Sequence, residues 1–243
     1  MPQLQDRVAI VTGASTGIGQ AIARAYAAEG AKVVLAARTL AKLDAFAAEL
    51  RGKGQRVLSV ATDVASEDSV QALFARTAEE FGRLDILVNN AGTNAVAPTD
   101  DISLADWNRV IGTNLTGAFL CTRQAMKLMK RQKAGRIINI GSVSARVSRL
   151  NHAPYTASKF GLDGLTKATA LEGREHGIAV SILHPGNTAT EIWGGNEGRA
   201  RIEGIMGADE LARVAVLMAA LPPGMNMLET IVLPVTMPFL GRG

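Results

Sequence analysis

The sequence predicts an α/β fold: a doubly wound, parallel, seven-stranded sheet with helices on both faces, in one domain over residues 1–243. Three observations predict it. Seven short runs rich in Val, Ile and Leu are mostly apolar throughout rather than alternating, as strands covered on both faces require. Helical patterns separate the runs, and alternating strand and helix gives right-handed βαβ units. No linker, repeat or low-complexity stretch divides the 243 residues, and a hydrophobic content of 47% can fill one large core.

The elements follow in order. The first strand, Arg7–Val11, runs into a glycine-rich turn and a helix over Gly17–Glu29. Strand Lys32–Ala37 leads to helix Leu40–Arg51, and strand Arg56–Ala61 to helix Glu67–Gly82. Strand Leu84–Asn89 precedes the longest helical pattern, Leu104–Lys133, and strand Arg136–Ile140 precedes helix Ala153–Glu175. After strand Ile178–His184 come helix Asp209–Leu221 and a last strand, Met227–Leu233. Between them, Thr188–Gly207 carries Gly194, Gly195, Gly198, Gly204 and Gly207 without strong periodicity. Ligands of open α/β sheets bind beyond the carboxyl ends of the strands, so this segment is either a substrate lid or a plain surface loop.

Composition narrows the function. No apolar run approaches the ~18 residues of a membrane span, and the amino-terminal residues lack a signal-peptide layout. The single cysteine, Cys121, allows no internal disulfide, and His152, His176 and His184 are too scattered for zinc, so no metal is expected. A reducing, cytoplasmic setting fits. The net charge is +4, but its densest cluster (Lys127, Lys130, Arg131, Lys133, Arg136) falls at a helix end, where cations complement the dipole. No Trp or Tyr interleaves with it, so a solvated face is expected rather than a nucleic-acid surface.

Two local patterns carry chemistry. In Thr12-Gly13-Ala14-Ser15-Thr16-Gly17-Ile18-Gly19, glycines let the chain turn sharply between a strand and a helix whose free N–H groups point at an anion such as a pyrophosphate. The second strand ends at Ala37-Arg38, where an acidic residue would grip the ribose 2′-hydroxyl of NAD. Ala37 is neutral and Arg38 offers a fork suited to phosphate, so NADP is favoured over NAD. Tyr155 and Lys159 are four residues apart on one helix face. A cation 4–5 Å away is expected to lower the phenol pKa by roughly two to three units, toward ~7, making Tyr155 a proton donor and acceptor near neutrality.

These residues, with others in the same order, carry a resemblance. The chain resembles the compact, single-domain short-chain dehydrogenase/reductases, from Arg7 to about Thr190, with a looser fit beyond. The further matches are Asp63-Val64, Asn89-Asn90-Ala91-Gly92, Asn114, Ser142 thirteen residues before Tyr155, and Pro185-Gly186. The resemblance implies a Rossmann-type fold and a hydride transfer between NADP(H) and a carbonyl or secondary alcohol. Gly13, Ser15, Thr16, Gly17, Ile18 and Gly19 would cradle the cofactor, with Arg38, Asp63 and Val64 at its adenosine. Asn90, Ala91, Gly92, Pro185, Gly186, Thr188 and Thr190 would support the rest. Ser142 would bind the substrate oxygen, Tyr155 exchange its proton, Lys159 lower the Tyr155 pKa and hold the nicotinamide ribose, and Asn114 help hold a relaying water. It further implies a homotetramer or homodimer built on the long helices. The chain departs from many members at Thr16, where NADP-linked ones carry Arg or Lys, and at Leu233-Pro234-Val235, where a Val-Asp-Gly-Gly ending is common.

The substrate is a small molecule that the sequence does not name. Val143, Ser144, Arg146, His152, Gly186 and Trp193 are expected at or near its pocket. Arg146 and Arg149 either meet an acidic substrate or face solvent, and His152 either touches substrate or starts the helix. The carboxyl-terminal tail either covers the pocket or reaches a neighbouring subunit. A 3-oxoacyl-thioester reductase, using Lys130 or Arg131 against an acidic carrier protein, is the alternative activity. A dinucleotide-binding regulator without turnover is the remote one.

Overall fold

The computed structural model describes residues 2–190 and 203–239. Among them, seven parallel strands form one sheet in the order β3-β2-β1-β4-β5-β6-β7. The strands are β1 (Val8–Thr12), β2 (Lys32–Ala37), β3 (Val57–Ala61), β4 (Ile86–Asn89), β5 (Gly135–Ile140), β6 (Ile178–Pro185) and β7 (Glu229–Val232). The helices are α1 (Gly17–Ala28), α2 (Leu40–Arg51), α3 (Glu67–Phe81), α4 (Leu104–Ile111), α5 (Gly117–Gln132), α6 (Ala153–Gly173) and α7 (Ala208–Ala220).

The two-residue period of a strand sorts the core into two layers. Ala9 and Val11 turn to one face, against Ile22 and Tyr26 of α1 and Leu211 and Met218 of α7. Val8 and Ile10 turn to the other, against Leu73 and Phe74 of α3 and Leu120 and Met129 of α5. Each Val, Leu, Ile, Met or Phe among them contributes roughly 1.5–3 kcal/mol of burial, and slipping β1 by one residue would exchange the two layers. Helix ends follow local chemistry: the Ser66 hydroxyl accepts from Ser69 N at 3.3 Å, and Gly82 ends α3 at φ +72°. The strand order reverses beside β1, which opens a crevice at the carboxyl ends of β1 and β4.

Two expectations change. The helix expected over 104–133 contains a π-turn, Gly112–Thr116, which divides α4 from α5. A pattern of apolar spacing does not reveal one widened turn. Arg136, assigned to a solvated face, is buried instead; its guanidinium donates to the carbonyls of Leu221 (2.5 Å), Pro222 (2.9 Å) and Met225 (3.1 Å) beyond the end of α7. The described tail folds onto its own chain: Met237 is buried, and a methyl group on Gly186 would lie 2.8 Å from its sulfur. None of residues 233–239 lines the crevice. No helix among the described residues is long and apolar enough to cross a membrane.

Candidate active site

The crevice is a cleft of about 560 Å³. Its floor is built from the loops after β1 and β4. Asn90 donates its amide to the carbonyls of Thr12 (2.9 Å) and Gly13 (3.2 Å), and the Thr12 hydroxyl accepts from the N–H groups of Asn90 (3.0 Å) and Ala91 (3.1 Å). Gly13 sits at φ +65°, a conformation that glycine adopts without strain. Gly13, Ser15, Thr16, Gly17 and Ile18 line the cleft. The Thr16 side chain makes no capping bond to α1, so the first-turn N–H groups keep their capacity for an anion. Gly19, expected on the wall, lies beneath it. A methyl group there would come within 2.3 Å of the Asn90 amide and 2.4 Å of the Gly13 carbonyl, so its role is close packing of helix against loop.

At one end of the cleft stand Arg38, Lys42, Asp63 and Val64. Asp63 accepts from Ala65 N at 3.0 Å. Arg38 and Lys42 are exposed, and among the described residues neither makes an ion pair with a carboxylate. Lys42 was not foreseen, although it stands four residues after Arg38 at the start of α2. Ala91, Gly92, Gly186, Thr188 and Thr190 line the middle, and Thr190 approaches the glycine turn: a methyl group on Gly17 would be 3.2 Å from its methyl. Thr188 pairs with Met206 in a parallel bridge, which joins the two described ends of the expected lid. Trp193, Gly194, Gly195 and Gly198 lie outside the described residues.

The other end gathers Ser142, Tyr155 and Lys159. Ser142 follows β5, and Tyr155 and Lys159 occupy successive turns of α6. Lys159 Nζ lies 5.6 Å from the centre of the Tyr155 ring and donates to the Ile140 carbonyl at 2.7 Å. Burial pushes the Lys159 ammonium down to about 8. The expected fall in the Tyr155 pKa is reversed. Desolvation raises the phenol above its ordinary value, while a hydrogen bond from Ser142 and the charge of Arg149 pull it back. Pair arithmetic over a sequence spacing contains no desolvation, which is why the direction was missed.

Asn114 is buried in the π-turn and does not line the cleft. Its amide donates to Thr93 O (2.9 Å) and Ser158 Oγ (3.0 Å) and its carbonyl accepts from Thr93 N (2.8 Å), so it splices the loop after β4 to α6. Arg149 reaches the cleft and donates to Asn187 Oδ1 at 2.8 Å, whereas Arg146 turns inward to Asp163 and Glu229. His152 both precedes α6 and lines the cleft. Sequence reasoning missed Asn94, Arg109 and Asn187 as lining residues; polar loop residues of this kind carry no periodic signal.

Sheet order, glycine loop and the Ser142–Tyr155–Lys159 end together define a dinucleotide-dependent oxidoreductase architecture. Residues 7–199 match the family model of the short chain dehydrogenases, and the chain belongs to that family of enzymes. It is 44% identical over 193 residues to a 3-oxoacyl-[acyl-carrier-protein] reductase of Synechocystis sp., covering 79% of this chain and 78% of the relative. It is 39% identical to a D-threitol dehydrogenase of Mycolicibacterium smegmatis over 227 residues, 90% of this chain and 87% of the relative. A metagenomic short-chain oxidoreductase solved in complex with NADP superposes with a TM-score of 0.85 at 36% identity, covering 96% of this chain and 98% of the other.

Proposed function

We propose that the protein is an NADP-linked carbonyl reductase or alcohol dehydrogenase acting on a small or medium-sized ketone or secondary alcohol. The observation that carries the reading is the convergence of Ser142, Tyr155 and Lys159 at one end of a cleft whose other end presents Arg38 and Lys42. Those two cations fit a 2′-phosphate, and no acidic side chain follows β2 to favour a bare ribose. The strained-free turn at Gly13 and the open amino end of α1 fit the pyrophosphate, with Thr190 beside them. When bound, the nicotinamide supplies or accepts the hydride.

The residues of the chain do the rest. Ser142 holds the substrate oxygen, and Tyr155 gives it a proton in reduction or takes one in oxidation. The Ser142 bond and the Arg149 charge favour phenolate against the desolvation that opposes it. Lys159, anchored on Ile140, keeps its ammonium under the Tyr155 ring, and Asn114 holds α6 against the loop after β4. Following NADPH absorbance with a panel of ketones tests the reading. No turnover with any ketone or secondary alcohol, with either nicotinamide cofactor, would sink it.

The Synechocystis relative favours a second reading, reduction of a 3-oxoacyl thioester. The basic residues first considered for a carrier, Lys130 and Arg131, stand at the carboxyl end of α5, which leads into the amino end of β5. They lie thirteen and fourteen residues, at roughly 1.5 Å each, from Gly117 at the cleft end of that helix. A carrier delivering to Tyr155 would meet Arg109 and Arg149 instead. A KM for an acyl-carrier thioester that rises steeply with salt, and that Arg109→Ala raises while weakening its salt dependence, supports this reading.

A further inference from the structure

Behind the catalytic end lies a set of charged groups that the mechanism above does not use. His184 is the penultimate residue of β6 and is fully buried. Its Nδ1 stands 3.2 Å from Ser142 N and 2.9 Å from Ser142 O, so in either tautomer it bonds to the Ser142 backbone. The ring packs so closely on Gly141 that a methyl group there would be 2.5 Å from Nδ1. On its other side Nε2 is buried without a hydrogen-bond partner, 3.8 Å from both Asp163 Oδ1 and Glu229 Oε1. Arg146 bridges these carboxylates, donating to Asp163 Oδ2 (3.0 Å), Asp163 Oδ1 (3.1 Å) and Glu229 Oε1 (3.1 Å from Nε). Lys167 also donates to Asp163, at 2.8 Å. The guanidinium takes the place between the acids that a metal ion would need.

The placement of these groups decides their meaning. Asp163 is one turn beyond Lys159 and two beyond Tyr155 on α6, so the three share a face. Arg146 ends the short turn that Ser142 begins. The cluster thus grips the Ser142–Arg146 segment from α6, β6 and β7 at once. These ion pairs are only partly buried and add little net stability, because desolvation and screening offset their attraction; what they contribute is contact from three elements at once.

We propose that His184 is a positioning residue for Ser142, and that Arg146, Asp163 and Glu229 hold the imidazole and the Ser142 segment at a set distance from Tyr155. The inference rests on the proposed catalytic role of Ser142 and Tyr155. A displacement near 1 Å in such a site lowers turnover by roughly 10- to 100-fold.

The test compares His184→Asn, whose amide reaches the Nδ1 position, with His184→Gln, whose amide reaches the Nε2 position. Both are assayed with NADPH and the ketone that the wild type turns over fastest, and NADPH affinity is measured by fluorescence. We expect Gln to lower kcat by roughly 10- to 100-fold and Asn to keep it within about threefold, with NADPH affinity unchanged in both. Glu229→Gln, at a partly exposed position, is the second variant; it should lower kcat while leaving NADPH affinity intact. Equal kcat for Asn and Gln, or losses that follow NADPH affinity, overturns the proposal. If the His184 variants do not fold, wild-type kcat in Glu229→Gln overturns it. Tyr155→Phe is run alongside: if it is inactive, these outcomes bear on His184 alone, and if it turns over normally, the catalytic reading fails and the inference with it.

Discussion

Lys159 Nζ sits 5.6 Å from the centre of the Tyr155 ring, yet its hydrogen bond goes to the Ile140 carbonyl, 2.7 Å away at the end of β5. The ammonium is therefore tied to the sheet, while Ser142, at the other side of the phenol, favours its ionised form. Helix α6 supplies both side chains, but the sheet sets where they meet.

Removing the hydroxyl alone should separate chemistry from binding. Tyr155→Phe is expected to bind NADPH with near wild-type affinity and to lose turnover by at least about a thousandfold, the loss of a general acid with its oxygen-stabilising bond. Fluorescence titration and NADPH absorbance measure the two quantities. A variant with near-normal kcat would falsify the proposed role.

The tyrosine titration is open to direct measurement. The chain has two tyrosines, and Tyr26 is fully buried, with its hydroxyl donating to Ala215 O at 3.0 Å and burial raising its pKa steeply. Ultraviolet tyrosinate absorbance between neutral and strongly alkaline pH thus reports Tyr155. Its midpoint should lie above that of free tyrosine, because desolvation leads. Arg149→Leu and Ser142→Ala each remove a group that favours the phenolate, so each should move the midpoint further up. A midpoint that falls, or stays fixed in both variants, contradicts the assignment of causes.

Lys159 costs stability. Burial takes its ammonium from 10.5 to about 8, which corresponds to about 3 kcal/mol at neutral pH. Replacing it by Met also strips Ile140 of its donor, at about 1–2 kcal/mol, so Lys159→Met should stabilise the fold by roughly 1–2 kcal/mol at pH 7 while abolishing activity. The sign with pH follows from proton binding. Between about 8 and 10.5 the unfolded wild type binds more protons than the folded one, so its stability rises with pH. The advantage of the Met variant should shrink across that window, and thermal melts at pH 7 and pH 10 decide it.

Arg38→Ala combined with Lys42→Ala should raise KM for NADPH by about tenfold or more and leave KM for NADH within about twofold, since each lost charge-assisted bond to phosphate is worth ~1.5–3 kcal/mol before solvent screening. Ala37→Asp should move preference toward NADH by repelling a 2′-phosphate. If the ratio of kcat/KM for the two cofactors is unchanged in both, the selector lies elsewhere.

Much of the fold was legible because it is written locally. The continuous apolar strands and the 12–19 glycine turn placed the sheet and the cleft; Tyr155 and Lys159 were read from their spacing and Ser142 from the family resemblance, and all three line that cleft. What escaped depends on contacts between distant segments. Thr12 works through residues 78 and 79 positions away, and Asn187 meets Arg149 across 38 positions, with no pattern that links them. Arg136 looked like one of several surface cations because the carbonyls it caps lie 85 to 89 residues downstream. The sign of the Tyr155 shift failed for a related reason, since burial belongs to the folded chain and not to any pair within it.

Asn90 has a consequence for what the cleft admits. Its amide fills the gap where the loops after β1 and β4 meet, so one side chain closes that part of the floor. A shorter residue there would leave two carbonyls bare and the floor hollow; a longer one would lift everything that rests on it. The join between two separate crossovers of the sheet thus hangs on one amide beneath the cleft.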